Sequence, residues 1–291
     1  MDGTMDLTGK TELELRAMER EIAKQHLDQF PYLSLAWGLG NLVCWLSVWV
    51  LCLNGILPLW AGFIVATINI AASYLPSHEA QHSIFAMPGK PKRWLNELVG
   101  TLSPIPLVMP YSVLRATHME HHKHANNPEL DPDYDLHADT ALGFLWCSIQ
   151  WRQPKPFGDE HSYTKCLKRI GREDLILSAL AYRLIYLGVL CGMALNGLAI
   201  EAALLWWLPW QIAVTYIQFY LSWAPHNPGC GTERYSDTQS FKSRLGNIWS
   251  SGMQYHVIHH LYPRIPLVRT PEAYRQLKPI LEAQGARVDA I

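Results

Sequence analysis

The apolar residues of this chain gather into four long runs instead of one-sided stripes. Residues 33–53 carry no formal charge, Asn54 and Gly55 turn the chain, and 56–75 is a second uncharged run ending at Pro76. A second pair follows, 176–200, interrupted only by Arg183, and 202–223, with Glu201 in the bend between them. At about 1.5 Å per residue each run can cross about 30 Å of hydrocarbon, so the pattern predicts four transmembrane helices in two hairpins. Arg183 lies near the start of its helix, where it can snorkel to the interface or pair within the bundle. Trp37, Trp60, Trp206, Trp207, Trp210 and Trp223 fit aromatic belts at the membrane surfaces.

Polar segments separate the runs. The predicted organisation is an N-terminal segment (1–32), a first hairpin (33–75), a central segment (76–175), a second hairpin (176–223) and a tail (224–291). Within the central segment, 98–110 is apolar but broken by Pro104, Pro106 and Pro110, which predicts an interfacial or re-entrant segment rather than a fifth straight crossing. The tail predicts an amphipathic helix with Thr270 as N-cap, Pro271 at its first position, and Tyr274, Leu277 and Leu281 on one face.

Charge then orients the layout. Of 24 Lys and Arg residues, 23 fall outside the runs and their bends, in the N-terminal, central and tail segments. The positive-inside bias therefore places both termini and the central segment on the cytoplasmic side, in an inner (plasma) membrane. Residues 1–29 lack the basic start and short apolar core of a cleaved signal. With 49% hydrophobic and 17% charged residues the chain is far from a soluble composition, and a net charge of -1 argues against nucleic acid as a partner. The six cysteines show no CxxC pair and read as small buried hydrophobes.

The chemistry lies in the histidines. His78 and His82 stand in HEAQH, His118, His121 and His122 in HMEHH, and His256, His259 and His260 in HVIHH. Each spacing puts its imidazoles on one side of a helix. Thirteen histidines placed at random would give about 0.03 H-x-x-H-H patterns, yet this helical face occurs twice. Crowded imidazoles pack poorly and repel when protonated, whereas metal binding uses one ring nitrogen and gives the other to an acceptor that fixes the tautomer. Eight ligands exceed one ion, so two are implied, and nitrogen donors suit Fe, Cu, Zn and Ni alike. His226, in WAPHN at the end of the fourth run, is delivered to the same plane. His124 points off the face of its cluster, and His26, His137 and His161 read as surface or loop histidines. Asp131-Pro132-Asp133 forms a rigid acidic corner that can accept N–H bonds from ligating imidazoles or serve only as a cap and turn. Glu79 and Glu120 lie inside the histidine motifs and are read as acceptors behind the ligands.

HEAQH, HMEHH and HVIHH set between two membrane hairpins resemble the three histidine boxes of the membrane fatty acid desaturase and hydroxylase superfamily. The resemblance covers nearly the whole chain. It implies an all-α integral membrane protein with four transmembrane helices and a cytosolic helical cap, where the eight box histidines and His226 hold two iron ions. Acyl-CoA desaturases carry an Asn one turn before that extra histidine. Here the position is Ser222, so either a water bridges it or the iron environment differs. HHKHANNPELDPDYD, with WAPHNPG and HVIHHLYPRIP, is similar to carotenoid ring hydroxylases and ketolases, which implies hydroxylation of a β-ionone ring or a similarly bulky lipid. A fatty-acyl or other lipid desaturase and a carotenoid ketolase are the alternatives.

Two ferrous ions, two electrons and O2 can attack an unactivated C–H bond, giving an alcohol or an alkene from the same ligand set. No fused haem domain, Rossmann glycine pattern or iron–sulfur cysteine set appears, so a separate ferredoxin or flavoprotein reductase must supply electrons. Lys90, Lys92, Arg93, Lys165, Lys168 and Arg169 are candidate contacts, or simply part of the orientation signal. Two rival readings remain: HEAQH also spells the HExxH zinc-protease motif, which would leave both HxxHH clusters without purpose, and a metal transporter would want ionisable groups inside the spans, where only Arg183 stands.

Overall fold

A computed structural model of the protein describes residues 7–27, 29–156, 159–227, 229–243, 246–250 and 252–288. The first six residues, the last three and Pro228 of WAPHNPG therefore lie outside the described residues. Among those described, the chain is helical, with one isolated bridge between Gln239 and Arg287.

The helix α1 (Glu12–Lys24) opens with a reciprocal cap: Glu14 N donates to Thr11 Oγ1 (3.3 Å) and Thr11 N to Glu14 Oε2 (2.8 Å). Next come α2 (Tyr32–Leu53), α3 (Leu59–Ala72) and α4 (Tyr74–Gln81), the last two forming one long span, Leu59–Gln81. This span starts later than its apolar run and passes through Pro76 where the sequence predicted an end. A break at Ser73 puts Pro76 in the first turn of α4, where a missing N–H costs no helical bond. His78 is thus carried on the membrane helix itself. Asn41 and Asn69 lock α2 to α3 reciprocally, each side-chain amide donating to the other's backbone carbonyl (2.9 and 2.8 Å).

Helix α5 (Arg93–Leu102), a 3-10 turn (Ile105–Leu107) and α6 (Tyr111–His124) fill the proline-broken region. The two arms meet at 97°. Helices α7 (Ala141–Trp151), α8 (Ser162–Arg169) and α9 (Asp174–Leu195) follow. From 199 to 223 the chain stays helical through α10 (Ala199–Ala202), a π-turn (Ala203–Trp207), α11 (Leu208–Ile217) and a second π-turn (Gln218–Trp223). Pro209 cannot donate within this run, which accounts for the relaxation of the first π-turn beside it. Among the described residues three helices, Tyr32–Leu53, Leu59–Gln81 and Asp174–Leu195, are each long and apolar enough to cross a membrane, or four if the bent pair counts as one span.

The tryptophans correct one expectation. Trp60 and Trp207 do face outward, 69% and 47% exposed, but Trp210 is only 4% exposed. Its indole donates to the Leu107 carbonyl (2.8 Å), and Trp206 donates to that of Pro106 (2.8 Å). Irregular backbone in an apolar interior leaves carbonyls without a helical partner, and these indoles satisfy them. Trp223 does the same for Ala138 (2.8 Å).

The short α12 (Gly246–Trp249) and α13 (His256–Leu261) lead to α14 (Thr270–Ala283). Tyr274, Leu277 and Leu281 are buried as expected, packed with Ala23 of α1 and Val257, Ile258 and Leu261 of α13. Thr270 does not cap: the helix begins at Thr270 itself, and its hydroxyl donates to the Leu267 carbonyl (2.8 Å). Fully buried Glu19 pins α1 to the tail, accepting from Arg234 (3.1 Å), Tyr235 (2.8 Å) and Tyr262 (2.8 Å). Cys44 and Cys191, on the outer faces of α2 and α9, are exposed, so the buried reading holds for Cys52 and Cys166 only.

Candidate metal centre

Four elements deliver the histidines. The C-terminal end of α4 carries His78 and His82, α6 carries His118, His121 and His122, the turn after the second π-turn carries His226, and α13 carries His256, His259 and His260. The end of α4 is held by Tyr111 OH (2.8 Å) and Asn96 Nδ2 (2.9 Å), both donating to the Ala80 carbonyl.

Eight imidazoles converge as two groups of four. His78, His82, His118 and His259 form one; His121, His226, His256 and His260 form the other; within each, the potential ligand atoms lie within 4.8 Å of one another. His122 stands between the groups, its Nε2 2.9 Å from that of His259 and 3.1 Å from that of His118, with its ring 4.4 Å from that of His260. Residues up to 182 positions apart in sequence thus meet in one buried cluster.

The partners of the second group are informative. His121 Nδ1 donates to Asp131 Oδ1 (2.9 Å), His226 Nδ1 to the Asp237 carbonyl (2.8 Å) and His260 Nδ1 to Asp237 Oδ2 (3.2 Å). His256 Nδ1 rests against Met253 sulfur (3.2 Å). The Nε2 atoms of His226, His256 and His260, and both ring nitrogens of His78, are buried without any hydrogen-bond partner. Each such lone buried nitrogen costs about 1–3 kcal/mol unless something uses it. One nitrogen anchored outward and the other free inward is the arrangement metal ligation requires, and the donor set fits iron. Burial, reinforced by neighbouring imidazoles, holds the pKa of His226, His256 and His259 well below the ordinary imidazole value, which keeps them in the neutral form that binds metal.

The acidic residues divide. Asp131 fills both roles open to it, accepting from His121 and, in its own turn, from Asp133 N (2.9 Å), while Asn126 N donates to its second oxygen (2.8 Å). Asp133 touches no ligating imidazole; it accepts from Tyr163 OH (3.0 Å) and from Ser222 Oγ (3.2 Å), so the Ser222 hydroxyl is turned to a carboxylate. Burial pushes the Asp133 carboxyl up from its ordinary pKa, and the neighbouring Asp131 charge adds to this. Glu79 accepts from Leu267 N (2.8 Å), with its other oxygen buried and unpartnered, rather than standing behind an imidazole. Glu120 is a correction: at one residue before His121 it lies on the other side of α6, where its carboxylate takes Arg169 (3.0 Å), Lys123 (3.7 Å) and His124 (3.6 Å). That contact also places His124 outside the cluster. His26 is buried, not superficial, and pairs with Gln276 (3.1 Å).

Sequence reasoning missed Asp237, which anchors two imidazoles, and Tyr74, whose ring stacks on His78 (5.6 Å between centroids). A lone Asp in a polar loop carries no spacing signal, and Tyr74 was hidden in an apolar run.

The description that matches the chain is "Fatty acid desaturase", over residues 45–291. The chain belongs to this family. Among its relatives, a dihydrorhizobitoxine desaturase of Bradyrhizobium elkanii is 26% identical over 65% of this chain and 59% of its own length. A fatty acid conjugase of Calendula officinalis is 24% identical over 72% of the chain and 64% of its own. The chloroplastic sn-2 acyl-lipid omega-3 desaturase (ferredoxin) of Helianthus annuus is 25% identical over 72% and 53%. The chain thus spans between about half and two thirds of the length of these relatives. None of the three is named for a carotenoid, so the ring-hydroxylase resemblance gains no support from them, whereas the histidine boxes are accounted for by the family.

Proposed function

We propose that the protein is an O2-dependent, non-haem diiron enzyme that oxidises a C–H bond of a lipid, with His78, His82, His118, His121, His122, His226, His256, His259 and His260 holding the two irons. The observation that carries this reading is the set of buried, unpartnered Nε2 atoms facing inward from imidazoles anchored through Nδ1. When bound, the irons supply the two-electron activation of O2 that no side chain can provide. The protein's own part is positional. Asp131 and Asp237 fix the orientation of the His121 and His260 rings and put the proton of the neutral ring on Nδ1, so that Nε2 is the nitrogen turned to a metal. Tyr163 and Ser222 hold Asp133 at the edge of a chamber of about 60 Å³ walled by Tyr74, Leu107, Leu114, Trp210 and Leu221. Apolar walls suit a hydrocarbon, and relatives named for fatty acids and acyl lipids favour oxidation of a fatty-acyl chain over the β-ionone ring.

The topology that accompanies this reading has four crossings, 199–223 being the fourth, with the histidine cluster in a cap on the cytoplasmic side of an inner membrane. Electrons come from a separate ferredoxin or reductase; the name of the Helianthus relative includes ferredoxin. Of the candidate contacts, Lys168 pairs with Glu160, Arg169 with Glu120 and Arg93 with Glu97, which leaves Lys90, Lys92 and Lys165 as the cations most available to an acidic partner.

The test combines metal analysis with product analysis. Purified protein is expected to carry two irons and, with reductant and O2, to yield a lipid that has lost two hydrogens or gained one oxygen atom by mass spectrometry. His121→Ala and His259→Ala should each abolish iron loading and turnover while the protein remains in the membrane, and His26→Gln should keep its iron. A single zinc with peptide cleavage, or full turnover without His121 and His259, would overturn the reading.

A further inference from the structure

A larger cavity of about 720 Å³ adjoins the narrow chamber, and the two share Met109, Trp151, Tyr163 and Trp210 as common walls. Its size is that of a small-molecule site. It opens between the bend of the proline-broken segment, the end of α7, α8, α9 and α11. Its apolar wall carries two arginines, Arg152 and Arg183, for which no carboxylate lies within 4.0 Å among the described residues. Other charges on the rim are Lys155, which faces Asp135 at 3.9 Å, Glu160, which pairs with Lys168, and exposed Asp159.

Arg152 is not a loose surface cation. Its Nη1 donates to Thr215 Oγ1 (2.8 Å) and Ser148 Oγ (3.2 Å), Ser148 Oγ donates in turn to Gln218 Oε1 (2.7 Å), and Arg152 Nε is buried without a partner. A half-buried guanidinium held by neutral hydroxyls, with a donor still unused, is costly unless an anion completes it. Arg183 reaches the same cavity from the membrane helix α9, its guanidinium over the Trp210 ring at 5.2 Å. Stacking occupies the face of a guanidinium and leaves its N–H edge to bind an oxyanion. An unpaired arginine on a membrane span marks a ligand path.

Resting on the function proposed above, we infer that the substrate is a lipid with an anionic head, whose carboxylate or phosphodiester is clamped by Arg152 and Arg183 while its acyl chain passes Met109 and Trp210 into the chamber beside Tyr74 and Asp133. The shared chemistry is an oxyanion accepting from two guanidinium groups.

The test uses iron-loaded, full-length protein in non-ionic detergent and measures displacement of a fluorescent fatty acid. Oleic acid is compared with methyl oleate, and dioleoyl phosphatidylglycerol with dioleoyl phosphatidylcholine; the first pair detects a carboxylate head and the second a phosphodiester. The anionic member of one pair should bind about ten- to a hundredfold tighter. Arg152→Gln with Arg183→Gln should abolish that preference, leaving iron content and melting temperature unchanged, and Arg152→Lys with Arg183→Lys should restore part of it. With whichever lipid is oxidised, the Gln pair should raise KM and spare kcat. Equal binding within both pairs, or a preference that survives the Gln substitutions, overturns the clamp. Oxidation of methyl oleate and oleic acid with equal kcat/KM also overturns it while upholding the diiron reading. An anionic preference lost on substitution, in a protein that oxidises no lipid, upholds the clamp and sinks the catalytic reading instead.

Discussion

An imidazole has two nitrogens, and this protein divides their labour. In His226 and His260 of the second histidine group Nδ1 is spent on an oxygen acceptor and Nε2 is left bare, and Asp237 alone serves both rings, through its carboxylate to His260 and its carbonyl to His226. Asp237→Asn keeps the carbonyl but weakens the acceptor at His260. Iron affinity should fall about 10- to 100-fold, as is typical when a partner behind a metal ligand is lost. A chelator competition followed by iron analysis reads this directly, and undiminished affinity would show that His260 is oriented by packing alone. Histidine spacing alone made the converging imidazoles legible in the sequence, because i, i+3, i+4 is a statement about one helix face. The same geometry should have excluded Glu120, one position before His121 and on the far side of α6, where Arg169 holds it. Asp237 was illegible for the opposite reason: its role exists only once the loop after His226 is folded against α13.

Helices in this protein are shaped by where proline is harmless and where it is not. Pro76 falls in a first turn and leaves its span intact, whereas Pro104, Pro106 and Pro110 force a 97° bend whose carbonyls need donors from elsewhere. The sequence showed the break, but not that tryptophans assigned to the membrane surface would mend it. Indole N–H groups at 206 and 210 are one helical turn apart, so both face the bend. Trp210→Phe keeps most of the ring's packing and strands the Leu107 carbonyl in the interior, which should cost about 1–3 kcal/mol. Trp60→Phe, on an outward face, should cost far less. Chemical unfolding of the two variants in the same detergent compares them, and equal losses would mean that the indole bond to Leu107 contributes nothing. The π-turn at Gln218–Trp223 belongs to this scale as well, since Ala224 N reaches back to the Phe219 carbonyl (2.8 Å) and the extra residue resets the angle at which His226 leaves the helix.

For the molecule as a whole, one feature bears on the proposed sidedness, one ties the two ends of the chain together and one bears on immersion in a membrane. The cations avoid both hairpin bends; α1 packs on the tail through Glu19 and through His26 with Gln276; and the outward faces of α2, α3 and α9 are apolar, with Val43, Val50, Ile68, Leu177 and Ile185 all exposed. Composition and charge made the apolar spans and the distribution of cations legible without any structure. What they left out is that the helix of box one is continuous with the second apolar run, so His78 rides on the end of the candidate span Leu59–Gln81 and His82 follows directly after it. The four-crossing topology proposed above would put Asn54 and Asn196 on one side of the bilayer and Lys10 and Ala283 on the other. In a variant whose native cysteines are replaced, Asn54→Cys and Asn196→Cys should react with a membrane-impermeant maleimide added to intact cells. Lys10→Cys and Ala283→Cys should react only after permeabilisation. All four sites are exposed, so silence at any of them reports on sidedness and not on burial. Labelling of Asn54 and Asn196 from different sides would require an odd number of crossings between them, and the bent pair Arg93–Leu107 and Tyr111–His124 would then have to be a span of its own.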